Sequence, residues 1–72
     1  MEDVCVYQFT VRGWLSIEDV NALSPVSLEV EREGAGASVL RARTDQAGMI
    51  GVIRHLHGLG LMLEAIRRLP AE

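Results

Sequence analysis

Apolar and polar positions alternate from Val4 to Val11, with Cys5, Tyr7, Phe9 and Val11 in one row and Val4, Val6, Gln8 and Thr10 in the other. A period of two residues belongs to a strand with two unlike faces. A central strand is therefore expected over about 3–12, its aromatic row turned toward a core. Past Arg12-Gly13 the period lengthens, with Ile17, Val20 and Leu23 at helical spacing and Ser16 and Asp19 suited to capping. This predicts a short helix over about 16–23, stopped by Ser24-Pro25 because proline disfavours helical geometry in the residue before it. Val26, Leu28 and Val30 then alternate with Ser27, Glu29 and Glu31, a strand over about 26–32 with one buried face. Glu33-Gly34-Ala35-Gly36 reads as a hairpin loop, and about 37–43 returns as a third strand.

The clearest element lies between Thr44 and Gly60. Thr44 or Asp45 can cap its start, and Met49, Val52, Ile53 and Leu56 fall at the i, i+3, i+4, i+7 spacing of one buried face. Gly58 and Gly60 can adopt positive φ, so the helix, about 45–58, ends at one of them. Leu61, Leu63 and Ala65 alternate with Met62, Glu64 and Ile66 in a fourth strand over about 61–68. The order βαββαβ in one 1–72 domain predicts a ferredoxin-like α+β fold, a four-stranded antiparallel sheet with two helices on one face. Strict parity then assigns Val4, Val6, Gln8, Thr10, Glu29, Glu31, Val39, Arg41, Arg43, Met62, Glu64, Ile66 and Arg68 to the uncovered face.

Size sharpens the meaning of that face. A chain of 72 residues buries only about 60% of its unfolded surface, so its own core gives marginal stability. Cys5 is the single cysteine, which rules out a disulfide within one chain, and Cys and His are too few for a structural metal. Self-association is the remaining common remedy, and 49% hydrophobic content with 4% aromatic suits a domain that hides a second apolar surface. The expected interface residues are Val4, Val6, Val39, Met62 and Ile66, rimmed by arginines and glutamates, and a like-with-like homodimer is the simplest partner arrangement. All seven basic residues are arginine and the formal net charge is −3, which argues against nucleic acid or an acidic membrane as partner. An RNA-binding sheet would present aromatics, whereas Tyr7 and Phe9 belong to the core row. Acidic residues at 2 and 3 stand where a secretory leader carries basic ones, and no apolar run approaches membrane-spanning length, so a cytoplasmic location is expected.

Chemistry is sparsely signalled. Arg41 and Arg43, two apart on a strand, share a face and can clamp a carboxylate or phosphate, although ordinary pairing with nearby glutamates weighs more. His55 and His57 point to different sides of a helix, His57 toward its edge and His55 toward solvent, which does not make a metal site. Ser16, Ser24, Ser27, Ser38 and Cys5 are nucleophiles by type alone, with no base placed beside them by the sequence, and no cofactor is expected. Gly48 and Gly51 inside a helix cost about 1 kcal/mol each relative to alanine. They either admit a close neighbour or let a small anion approach the helix start at Asp45, Gln46 and Gly48.

Asp45-Gln46-Ala47-Gly48-Met49-Ile50, followed by Leu59-Gly60-Leu61 and Glu64-Ala65-Ile66, resembles the Asp-x-Pro-Gly-apolar-apolar helix and Leu-Gly-Ile strand of ACT domains. Ala47 stands in place of the proline, and the segment lies in the second half of the chain, not the first. The resemblance implies a paired regulatory module binding amino acids or similar small molecules. Val11-Arg12-Gly13, Asp45-Gln46-Ala47 and Arg68-Leu69-Pro70 also resemble short uncharacterised actinobacterial proteins. The functional expectation is a non-enzymatic accessory protein, a homodimer through the open sheet that docks on a larger enzyme or complex. An ACT-like binding regulator comes second, and a small ferredoxin-like cyclase or monooxygenase using space around Tyr7, Cys5 and Trp14 comes third.

Overall fold

In the computed structural model, which describes residues 4–13 and 15–70, the strand with the aromatic row is β1, Cys5–Arg12. It is followed by α1 (Ile17–Ala22), β2 (Glu29–Gly34), β3 (Ala37–Thr44), α2 (Gln46–Gly58) and β4 (Met62–Leu69). Trp14 and residue 3, both given roles above, lie outside the described residues. One sheet has the order β2-β3-β1-β4, and every neighbouring pair is antiparallel. The fold is thus α+β, a four-stranded antiparallel sheet with two helices. The α1 connection steps over β3, and the α2 connection steps over β1.

The core arises from the alternation. Cys5, Tyr7, Phe9 and Val11 are buried, and their cross-strand partners Thr44, Ala42, Leu40 and Ser38 are buried with them. Directly paired residues share a face, so these two rows form one floor. Val20 of α1 and Val52 and Leu56 of α2 pack onto it, closed at the ends by Leu28 and Leu61. Both helices therefore cover the same face. Full burial of Phe9, Leu40 and Leu56 contributes about 1.5–3 kcal/mol each.

The second helix is the best specified element. Asp45 in extended geometry caps it, its Oδ1 accepting from the Gly48 N–H at 2.9 Å. At the other end Gly60 takes φ +82, its N–H donates to the His57 carbonyl, and the Leu61 N–H donates to that of Leu56. This double bond is a Schellman ending, completed by the apolar pair of Leu56 and Leu61. Gly48 and Gly51 mark close approaches. A Cβ on Gly48 would lie 1.9 Å from Thr44 Oγ1 and 3.2 Å from Val26 Cγ2, and one on Gly51 would lie 3.1 Å from Pro25 Cγ.

Those contacts explain why β2 starts at Glu29 and not near 26. Residues 24–28 form a strap under α2. Asn21 binds the backbone of Leu28 on both sides of its amide, donating from Nδ2 to the carbonyl at 2.9 Å and accepting at Oδ1 from the N–H at 2.8 Å. Ser24 Oγ donates to the Val26 carbonyl. The backbone groups that a strand would use are already engaged. The first helix is shorter than expected, Ile17–Ala22, and the Ser16 side chain makes no capping bond. Leu23 lies beyond the helix as its C-cap and is 86% exposed, because a helix this short turns its apolar side inward only at Ile17 and Val20.

Two bulges alter the edges of the sheet. Thr10 pairs with Ala65 but Val11 pairs with Leu63, leaving Glu64 as an extra residue in β4. Val30 pairs with Leu40 but Arg32 pairs with Val39, leaving Glu31 extra in β2. The hairpin between β2 and β3 is tighter than the four-residue loop expected. Gly34 pairs with Ala37, and Ala35 (φ 47) and Gly36 (φ 80) make a two-residue turn of the kind that matches strand twist.

Candidate functional site

The sheet face opposite the helices is built by β1 residues that alternate with the core row. Val6, Gln8 and Thr10 stand there half-buried, with Val39 and Arg41 of β3 beside them and Arg43 exposed. Pairing extends the face into the edges. Leu69, Arg67 and Ala65 of β4 lie opposite Val6, Gln8 and Thr10, and Met62 lies opposite Arg12. On the other side, Glu29 and Arg32 of β2 lie opposite Arg41 and Val39.

This corrects the assignment by parity. Ile66 pairs with Phe9 and Arg68 with Tyr7, so both belong to the helix-bearing side, and Ile66 is not part of the open face with Val6, Val39 and Met62. The reason is the extra residue at Glu64. A bulge shifts the alternation by one, so every residue after it changes side. Arg67 and Leu69 replace Ile66 and Arg68 on the open face. Likewise the extra residue at Glu31 brings Arg32 onto that face. A bulge has no signature in the alternation of 62–69 alone, since Leu63, Ala65, Ile66 and Leu69 are apolar at both parities.

The open face mixes apolar and charged groups in an ordered way. Val6, Val39 and Leu69 are half-buried, while Met62 is 63% and Val4, just before β1, 50% exposed. Gln8 Nε2 donates to both carboxylate oxygens of Glu31 at 2.9 and 2.8 Å, and Arg41 approaches the same carboxylate at 3.8 Å. Arg12 Nε donates to Glu64 Oε2 at 3.0 Å, an exposed pair of small energetic weight. The two bulge residues are therefore the acceptors that hold the face's polar groups. Glu29, Arg43 and Arg67 form no ion pair among the described residues. Arginines at 12, 32, 41, 43 and 67 outnumber glutamates at 29, 31 and 64, so the face is more positive than the chain's net −3.

The ligand-binding candidates divide into two places. Arg41 and Arg43 line an open cleft of about 500 Å³ with Val6, Val26, Ser27, Glu29 and Ala42, where β3 runs past the start of β2. Asp45, Gln46 and Gly48 lie at the start of α2. There the Asp45 carboxylate is held by the Gly48 N–H, and Thr44 and Val26 fill the space over Gly48. The two histidines exchange their expected settings. His55 Nε2 bonds to the Val20 carbonyl, tying α2 to α1, and is half-buried, while His57 is exposed. Since a carbonyl only accepts, the His55 proton sits on Nε2. Among the described residues no cluster of His, Cys, Asp or Glu suits a metal ion, and no helix is long and apolar enough to cross a membrane.

Tyr7 and Cys5 share the inner face with the buried polar residues Ser38 and Thr44 and lie next to each other in the core row. A hydrogen bond from the phenol to the Cys5 side chain, then burial, pushes the Tyr7 hydroxyl above its ordinary value of 10.0, with the nearby Arg68 guanidinium pulling the other way. The ring of Phe9 lies 6.5 Å from that of Tyr7, and the layer between sheet and helices is filled by the apolar core. The model of a family described as a domain of unknown function (DUF8691) matches residues 6–67. No curated protein and no solved structure matches the chain.

Proposed function

The chain belongs to the DUF8691 family, and from its surface we propose that it is a non-enzymatic interaction module that pairs with a second copy through the open sheet face. The order βαββαβ and the sheet order β2-β3-β1-β4 support a ferredoxin-like arrangement, in which crossovers put both helices on one side. The observation that carries the proposal is Val6, Val39, Met62 and Leu69 on a face that neither helix covers. Val6 and Leu69 lie on one side of the polar row Glu29-Arg41-Gln8-Arg67, and Val39 and Met62 on the other, a mixture of apolar and charged groups that suits an interface.

The sheet edges favour face-to-face pairing over lateral extension. Both edge strands are bulged, and β2 reads Glu29-Val30-Glu31-Arg32-Glu33-Gly34. Bulges and charge are the usual protection of an edge against another strand.

Light scattering on a size-exclusion column tests the reading. The native chain is expected at twice its 7.9 kDa, and Val6→Glu and Val39→Glu are expected at the monomer mass with unchanged far-ultraviolet circular dichroism. A native monomer, or dimers indifferent to both charges, would refute it.

A further inference from the structure

Of the open-face charges that form no ion pair among the described residues, Glu29 and Arg67 lie in one row across the sheet, while Arg32 and Arg43 lie in the rows beside it. Register pairs Glu29 with Arg41, Arg41 with Gln8, and Gln8 with Arg67. One end of the row is the Glu29 carboxylate on edge strand β2, and the other is the Arg67 guanidinium on edge strand β4, neither in an ion pair among the described residues. The row is polarised and, turned end for end, is its own complement.

Only one kind of two-fold axis turns it that way. An axis lying between two stacked sheets and running along their strands reverses the order β2-β3-β1-β4 while keeping each row level with itself. It sets Glu29 opposite the partner's Arg67 at both ends, and Gln8 opposite the partner's Arg41. Packed sheets stand about 10 Å apart, which the lengths of facing Glu and Arg side chains together can span. An axis running across the strands instead sets β2 on β2 and β4 on β4, so Glu29 and Arg67 never meet.

We propose that the open face takes a second copy of this chain about a two-fold axis parallel to the strands, with reciprocal Glu29 to Arg67 pairs fixing the orientation. This rests on the self-association proposed above and adds the partner residues and the register. In an isologous interface each pair occurs twice, so one reversed charge creates two like-charge contacts. Complementary charges chiefly decide which partner and which register are accepted.

The experiment uses two variants, Glu29→Arg and Arg67→Glu, each checked by circular dichroism and weighed alone and in equimolar mixture. Each alone places like charges at both contacts, and a rise of about tenfold in its self-dissociation constant is expected. Mixed, the first variant offers arginine at both positions and the second glutamate at both, so a heterodimer of native-like affinity is expected. The chain carrying both changes restores opposite charges and is expected to self-associate like the native protein. A native dimer sensitive to Val6→Glu whose charge variants show no preference for each other overturns the axis but leaves the open-face interface standing. A native monomer overturns both.

Discussion

Tyr7 is the only tyrosine in the chain, so its ionisation can be followed by phenolate absorbance. Its hydrogen bond to Cys5 and its burial both favour the neutral phenol, and the folded value lies above 10.0. The folded chain thus holds this proton more tightly than the unfolded chain does. The resulting stability is complete below the unfolded value of about 10 and is lost as pH rises through the raised folded value. A titration of the folded chain is expected to reach its midpoint at higher pH than one in urea, and Cys5→Ala to narrow the gap; coincident midpoints would contradict the burial and the bond. Asn21 offers a second residue-scale test, since its amide joins the end of α1 to Leu28. Asn21→Ala leaves a backbone donor and acceptor of a buried residue unpaired, at a cost of about 2 kcal/mol. A lower urea midpoint with unchanged slope is the expected result. The role of Asn21 was not legible in the sequence, because an asparagine near a helix end looks the same whether its amide meets water or the backbone seven residues on.

Elements differ in how far their own residues specify them. The second helix was readable because its cap, apolar spacing and glycine stop are all local, and the structure uses Asp45, Val52, Leu56 and Gly60 in those roles. The two central strands were readable because each alternates cleanly and is paired on both sides. Edge strands β2 and β4 were not, since their register depends on which partner residues they meet, and one extra residue at Glu31 or Glu64 turns the rest of its strand to the opposite face. That is why Ile66 was expected on the open face and Arg67 and Leu69 were not. The turn joining β2 to β3 bears its own mark of strain. Ala35 holds φ 47, a left-handed geometry costing an ordinary side chain about 1–2 kcal/mol and tolerated by asparagine or glycine. Ala35→Asn is expected to stabilise the chain by about 1 kcal/mol in urea denaturation, and Ala35→Val to destabilise it; equal stability of all three would exclude the two-residue turn.

At the scale of the whole molecule, the proportion of surface to core governs stability. A single layer of helices on one sheet gives this chain one apolar interior, formed around Phe9, Leu40, Val52 and Leu56. The same β1 and β3 that build it present Val6 and Val39 on their other side. If a second copy covers that side, folding and association are one equilibrium, and stability depends on protomer concentration. Each tenfold rise in concentration then adds about 1.4 kcal/mol to the dimer. The urea midpoint of the native chain is expected to climb across a concentration series, while those of Val6→Glu and Val39→Glu stay level and lower. Unlike a mass, which reports only that copies meet, this dependence reports whether their meeting holds the fold together. A native midpoint that stayed level while the mass was that of a dimer would mean that the sheet and its one helical layer suffice alone, and that pairing serves recognition and not stability.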